Sequence, residues 1–259
     1  MLRGLVLLGL VAVADAVILQ PLQQIETNTH LNCETDHVLM YTLGKTGSTS
    51  LQQSIRDYCN WTAAEFPFLE TFQDEYPRSM KVHRTHDVAA DYLSKLPPSS
   101  TVWIITLVRN PFERFLSAYF QSHWCEYVNR NGTEMAEGLT ATTARASKDL
   151  HAMLSRGYGD YFKDWEKTTG IPIREGRIDQ KRRSIFMHSV QNSKTLNAIL
   201  LRAEDIDDWG SILEPYLPGL EMETVNEADE KKYSDFYHQI KQSFVFSDEE
   251  KNIIANTAG

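Results

Sequence analysis

A short loop of small residues, placed between an apolar run and an amphipathic segment, constrains this chain more than any other feature. Residues 37–43 are apolar enough for a buried strand, and residues 50–58 carry apolar side chains at helical spacing. The loop between them holds Gly44 and Gly47, which allow a tight turn. The first N–H groups of a helix that follows such a loop point into it. The pattern predicts a phosphate-binding site.

The side chains of this loop strengthen that prediction with one positive charge and several hydroxyl donors. The candidate phosphate ligands are Lys45, Thr46, Gly47, Ser48, Thr49 and Ser50. A nucleoside-triphosphate loop reads G-x-x-x-x-G-K-[ST], but Leu39 stands where its first glycine would be. The lysine therefore opens this loop instead of closing it. The simpler alternative is a glycine turn with a solvated lysine.

A second strand ends in an arginine. Residues 101–108, TVWIITLV, are β-branched and apolar on both faces, which is typical of a central strand in a parallel sheet. Arg109 follows directly, Pro111 suits the first turn of a helix, and Ser117 lies off that helix's apolar stripe. An arginine at the end of a buried strand needs an anion or a carboxylate. A bound phosphate and a salt bridge to Glu113 are the two interpretations.

A histidine follows another predicted strand. Residues 80–85 are predicted to form a short strand, and Asp87 is the predicted N-cap of a helix that reaches residue 96. His86 is thereby placed at the carboxyl end of the strand. Open α/β sheets bind their ligands at that end.

Taken together, these elements resemble those of the sulfotransferases. In that family a loop that opens with lysine binds the 5′-phosphosulfate of PAPS (3′-phosphoadenosine 5′-phosphosulfate). Many members carry Lys-Thr-His, whose histidine is the catalytic base, and Arg84-Thr85-His86 is similar. An arginine that ends a strand binds the 3′-phosphate with a serine eight residues later, which is the spacing of Arg109 and Ser117. The resemblance covers about residues 37–125.

The resemblance implies an α/β fold, a single domain with a central, mainly parallel sheet flanked by helices, as in P-loop NTPases. It implies sulfuryl transfer from PAPS to a hydroxyl or amine, with no catalytic metal. His86 is the expected base, and Lys45 is expected to stabilise the departing 5′-phosphate. His83 and Asp87 remain alternatives, because some Golgi members use a carboxylate. The glycine-rich nucleotide loop of cytosolic members is absent, which favours a Golgi carbohydrate-type relative.

Two other classes of protein remain as alternatives. A nucleotide-dependent phosphotransferase needs a Walker-type loop and a magnesium-binding aspartate at a strand end. The loop order differs from that pattern, and the strand at 101–108 ends in arginine. A secreted, non-catalytic module that binds a nucleotide or a glycan would keep the fold without turnover. The presence of Lys45 and His86 argues against it.

The first residues predict entry into the secretory pathway. Residues 1–16 carry one positive charge, an apolar run and the small-x-small pattern of a signal peptide, or of a short signal-anchor if it is not cleaved. Residues 17–36 are predicted to be a stem, and residues 37–259 the sulfotransferase domain. Sequons at Asn60 and Asn131 agree with this route. The expected location is the Golgi lumen, or outside the cell.

The cysteines and the charge bear on compartment and partners. One pair among Cys33, Cys59 and Cys125 could form a disulfide in an oxidising lumen, and the sequence leaves that pair open. The net charge of −9 and the pI near 5.4 argue against a nucleic-acid partner. The expected partner is a glycan or another hydroxyl-bearing acceptor, with a protein tyrosine as runner-up. Membrane contact is expected only if the N-terminal segment is retained.

The rest of the chain carries weaker patterns. Residues 129–146 are small and polar, which predicts an insertion loop. Residues 195–201 predict a further strand, and residues 229–246 a helix. Ser247 followed by Glu250 is a capping box that opens a last helix.

Overall fold

The structure is a computed structural model that describes residues 30–44, 46–83, 85–127, 139–154, 161–176, 179, 183–223 and 234–252. For residues 115, 121–127, 139–143, 153, 154, 234 and 235 the description covers the helical backbone alone. Lys45, Arg84 and the sequon at Asn131 lie outside the described residues.

A five-stranded sheet forms the centre of the domain. Its strands are β1 (His37–Thr42), β2 (Met80–His83), β3 (Thr101–Val108), β4 (Ile185–Gln191) and β5 (Lys194–Arg202). The spatial order is β2-β1-β3-β5-β4, in which only β4, at one edge, is antiparallel to its neighbour. Because β2 and β3 flank β1 on opposite sides, the loop after β1 lies where the strand order reverses. Open α/β sheets place their ligands at this point.

Helices cover both faces of the sheet. They are α1 (Ser48–Cys59), α2 (His86–Lys95), α3 (Pro111–Tyr127), α4 (Leu139–Leu154), α5 (Tyr161–Thr169), α6 (Trp209–Leu213) and α7 (Ser234–Ser243). Met40 of β1 packs with residues of α1 and α6, on what we call the α1 face. Its neighbour Tyr41 packs with residues of α2 and α5, on what we call the α5 face. A third apolar cluster joins α3, α4 and α7.

Most of the predicted elements are present, and the predicted fold class is confirmed. The strand predicted at 101–108 is β3, and the one at 195–201 lies within β5. The predicted capping box forms, because the N–H of Ser247 donates to the Glu250 carboxylate at 2.8 Å and the N–H of Glu250 donates to Ser247 Oγ at 3.2 Å. The sequence pattern does not predict β4, since most of its side chains are only partly buried and alternate weakly.

Three predicted boundaries are wrong. β2 ends at His83, and α2 begins at His86 with Thr85 as its N-cap, so Asp87 lies in the first turn of α2 and does not cap it. The Thr85 hydroxyl donates to the His83 carbonyl at 3.1 Å, which turns the chain between strand and helix. The loop predicted at 129–146 is helical in part, because α4 begins at Leu139.

A disulfide joins Cys33 to Cys59. It links the segment before β1 to the last residue of α1, so both ends of the β1–loop–α1 unit are tied together. The structure thereby selects a pair that the sequence leaves open. No helix among the described residues is both long and apolar enough to cross a membrane.

Candidate active site

The loop after β1 leaves the start of α1 open to an anion. α1 begins at Ser48, and its N-cap is Gly47 in the left-handed conformation, with φ of 83°. Among the described residues, no side chain caps this helix end and no acidic residue lies in its first turn. The first N–H groups and the positive end of the helix dipole therefore face the loop. A Cβ at Gly47 would lie 3.0 Å from Cη2 of Trp209, so both the φ angle and the close approach require glycine.

The hydroxyls of the loop have different surroundings. Ser48 Oγ lies 3.2 Å from Nε2 of His83. Thr46 donates its proton to the Leu43 carbonyl at 2.8 Å, so this hydroxyl stabilises the turn itself. Ser50 is buried and Thr49 is exposed. Ser48 thus connects the loop after β1 to the end of β2.

The end of β2 presents two basic side chains to the α1 face. Val82 belongs to the cluster of the α5 face, so the alternation of a strand directs Lys81 and His83 the other way. The His83 ring centroid lies 4.6 Å from that of Phe68, and Lys81 Nζ lies 5.3 Å from the same phenyl centroid. Lys81 is only 5% exposed, and this burial lowers its pKa to about 8.

His86 lies on the opposite, α5 face. Its Nε2 is 3.0 Å from Oδ2 of Asp164 on α5, and its ring packs edge-on against Tyr41 at 5.5 Å between centroids. The two paired side chains are 29% and 41% exposed, so the pair is accessible from solvent. Nδ1 of His86 is buried and has no hydrogen-bond partner among the described residues. Asp164 therefore fixes the orientation of the imidazole.

His86 and Asp164 line a cavity of about 430 Å³ between the start of α2, α5 and residues 70–72. Phe72, which is 61% exposed, contributes an aromatic ring to its wall. The other polar side chains of the wall are Glu70, Thr71, Thr85, Asp87, Lys167 and Thr168. The volume lies within the usual range for small-ligand sites.

Arg109, at the end of β3, is ion-paired. Its Nη2 lies 3.3 Å from Oε2 of Glu113, while Lys241 Nζ lies 2.6 Å from Oε1 of the same carboxylate. Burial acts to raise the pKa of Glu113, but the bonds from Lys241 and Arg109 outweigh it and the pKa is lowered. Burial raises the pKa of Tyr237, which hydrogen-bonds Arg109. The salt bridge to Glu113 is thus present, and Lys241 shares the same carboxylate.

The structure divides the predicted site residues into three places. The loop with Ser48 follows β1, His86 lines the cavity beyond β2, and Arg109 follows β3, so all three lie at the carboxyl edge of parallel strands. Ser117 is partly exposed on α3, four residues beyond Glu113 and hence on the same side of the helix. This placement is compatible with a shared ligand for Arg109 and Ser117. The individual ligand assignments stay predictions.

The sequence patterns do not predict two residues of the site, Asp164 and Lys81. Asp164 is far from His86 along the chain, so no local motif predicts their contact. Lys81 carries a detectable signal, because it is a lysine within a short buried strand flanked by Met80 and Val82. A charge at a buried strand position requires an explanation. Within the described part of the chain, no group of His, Cys, Asp or Glu side chains could hold a metal ion.

An α/β domain with an anion-binding helix start after β1 and an arginine after β3 is typical of enzymes that bind phosphate-bearing donors. The model of the sulfotransferase family matches residues 29–194. This match covers more than half of the chain, which therefore belongs to the sulfotransferase family. The protein is a PAPS-dependent sulfotransferase, an enzyme that transfers a sulfuryl group to a hydroxyl-bearing acceptor. A comparison with curated proteins finds no match.

Proposed function

We propose that this enzyme transfers a sulfuryl group from PAPS to a carbohydrate hydroxyl in the lumen of the secretory pathway, with the Golgi as the expected compartment. One arrangement carries the proposal: the open start of α1, Arg109 and the cavity lined by His86 follow three neighbouring parallel strands. Since the carboxyl ends of parallel strands share one edge of the sheet, a donor and an acceptor bound there can meet.

The residues on the donor side fit PAPS, which supplies the activated sulfuryl group. The N–H groups at the start of α1, with Ser48 and Lys45, would hold the 5′-phosphosulfate. Arg109 and Ser117 would hold the 3′-phosphate. For this contact Arg109 releases Glu113, whose carboxylate keeps Lys241 as its partner, so no acid is left unpaired.

His86 is the proposed base, because it lines the cavity in which an acceptor would lie. It takes the proton of the acceptor hydroxyl as the acceptor oxygen bonds to sulfur. The bond from sulfur to the 5′-phosphate oxygen breaks, and Lys45 with the loop N–H groups stabilises the electron pair left on that oxygen. Nδ1 of His86 is buried, so Nε2 must accept the proton, which requires the tautomer with its resting proton on Nδ1 and the release of Nε2 from Asp164. Asp164 would then accept a hydrogen bond from the newly protonated Nε2.

His83 is the second candidate for the base. Its Nε2 lies 3.2 Å from Ser48 Oγ in the loop, which places this imidazole beside the predicted phosphosulfate site. In our proposal His83 supports the loop and the bound donor. The two roles differ in what a substitution should change, either turnover or donor affinity.

Three features support the proposed compartment and acceptor. The Cys33–Cys59 disulfide is typical of an oxidising compartment. Asn60 of the first sequon is exposed at the end of α1, which suits a glycoprotein. The cavity wall is rich in hydroxyl and carboxylate groups, which hydrogen-bond well to sugars. A protein tyrosine is the runner-up acceptor, and residues 1–16 are the proposed signal peptide or anchor.

Calorimetry with 3′-phosphoadenosine 5′-phosphate (PAP), the product nucleotide, tests the donor side, with ATP as the comparison. We expect PAP to bind more tightly by at least about tenfold. Tighter binding of magnesium-ATP would favour a phosphotransferase. PAP binding without transfer of labelled sulfate from PAPS to any glycan would favour the non-catalytic module.

Endoglycosidase treatment and N-terminal sequencing of the protein from a secretory host test the sequon and the cleavage site.

A further inference from the structure

The cavity lined by His86 lies directly beside the phosphate-binding loop. His83 contacts Ser48 of the loop, and Thr85, two residues later, is part of the cavity wall. Two residues of extended chain span at most about 7 Å, so the wall begins within that distance of a residue that contacts the loop. A ligand in the cavity is therefore close to any group held by the loop.

The charge of this cavity is opposite to that of the loop. Among the residues that the structure describes, the wall carries the carboxylates of Glu70, Asp87 and Asp164 and one lysine, Lys167. The loop side has the open start of α1 and the buried Lys81. An anion is thus favoured on one side of β2 and opposed on the other.

We propose that this cavity is the acceptor site and that its carboxylates select uncharged, hydroxyl-rich glycans over anionic ones such as uronic-acid polymers. The inference rests on the proposed function and adds the class of acceptor. Sugar hydroxyls donate charge-assisted hydrogen bonds to carboxylates. Phe72 offers its exposed ring to the apolar face of a sugar. A uronate or sulfate placed against the same wall meets like charge, and such repulsion is a common source of specificity.

Two oligosaccharides of equal length test this selectivity. Chitotetraose is uncharged, and the hyaluronan tetrasaccharide combines the same N-acetylglucosamine units with glucuronates. Calorimetry is performed on the full chain with PAP present at saturation. We expect chitotetraose to bind at least about tenfold more tightly than the hyaluronan tetrasaccharide, since repulsion between like charges can lower an affinity by more than that factor.

The variant Glu70→Gln/Asp87→Asn removes two of the exposed wall charges, and we expect it to bring the two affinities within about threefold of each other. Glu221→Gln removes an exposed acid outside the cavity wall and should leave the ratio unchanged. Equal or tighter binding of the hyaluronan tetrasaccharide to the unmodified enzyme would overturn the inference. An unchanged ratio in the double variant would do so too, as would failure of both sugars to bind while PAP binds. Failure of PAP with retained selectivity for chitotetraose would count against the donor site and leave the inference standing.

Discussion

His83 and His86 are three positions apart in the chain, yet they serve opposite sides of the sheet edge. His83 ends β2 and follows the alternation of the strand onto the α1 face, where it contacts Ser48. His86 begins α2 and turns to the α5 face, where it pairs with Asp164. The change from strand to helix within three residues thus separates two similar side chains.

The surroundings of the two histidines differ in charge as well as in position. The α1 side offers helix N–H groups and Lys81 to an anion, whereas the α5 side offers carboxylates to hydroxyl groups. Sulfuryl transfer needs both environments, because a polyanionic donor has to meet a nucleophile that must lose a proton. In our proposal this division assigns donor binding to one side of β2 and acceptor chemistry to the other.

The largest expected effect separates the two histidines. His86→Ala should lower turnover by roughly two to four orders of magnitude, the usual contribution of a general base. The affinity of this variant for PAP should be nearly unchanged, since none of the described residues of the loop after β1 lines the cavity. His83→Ala should weaken PAP binding, because Ser48 loses its partner. Steady-state kinetics and PAP calorimetry on both variants measure the two effects.

The opposite outcome would reverse the assignment. If His83→Ala loses turnover at normal PAP affinity while His86→Ala keeps most of its rate, His83 is the base. Asp87→Asn serves as the control for the remaining alternative, since Asp87 lies in the first turn of α2 and lines the same cavity. A loss of turnover confined to this third variant would identify a carboxylate base.

A substitution at Gly47 should affect the donor side alone. Gly47→Ala introduces a Cβ at a residue in the left-handed conformation, which costs about 1–2 kcal/mol. The new Cβ would also press against the fully buried Trp209. We expect PAP affinity to fall by about tenfold or more, because the start of α1 must shift. Gly219→Ala is the matched control, with a similar φ of 80° but nothing within 4 Å of the new Cβ. Equal PAP affinity in the two variants would show that the loop conformation does not control donor binding.

Much of the donor side could be predicted from local sequence, and little of the acceptor side. The loop after β1 and the arginine after β3 each follow an apolar strand directly, so short-range pattern identifies them. Asp164 and the wall residues 70–72 reach His86 only through the packing of α5 and a long connection against α2. The register between these segments depends on the whole core, which no short motif encodes.

The wrong prediction of the N-cap of α2 has a similar origin. Asp87 is a better N-cap by residue type, but Thr85 takes that place. The Thr85 hydroxyl donates to the His83 carbonyl, and the pairing of His86 with Asp164 holds the first turn two residues earlier than the pattern suggests. Tertiary contacts therefore override the local preference, and they do so beside the proposed base.

A smaller effect is expected at the 3′-phosphate site. PAP should bind at least about tenfold more tightly than AMP, since a charge-assisted hydrogen bond contributes roughly 1.5–3 kcal/mol. Arg109→Ala should bring the two affinities close together. Lys194→Ala removes a positive charge at the amino end of β5, whereas Arg109 follows the carboxyl end of the parallel strand β3, so this variant should preserve the preference. Equal binding of PAP and AMP by the unmodified enzyme would refute the assignment of Arg109.

The smallest expected effect concerns Lys81, whose burial lowers its pKa to about 8. In the unfolded chain a lysine titrates near 10.4, so between these values the unfolded state binds more protons and stability rises with pH. Below pH 8 the folded state carries the full cost of a buried charge. Lys81→Met should therefore raise the free energy of unfolding by about 1 kcal/mol at pH 7, and the gain should shrink towards pH 9.5. Lys95→Met, at an exposed lysine paired with Asp91, should show no such gain. Urea titrations at pH 7, 8.5 and 9.5 measure both, and a gain for Lys81→Met that stays constant with pH would mean that Lys81 is not a buried charge.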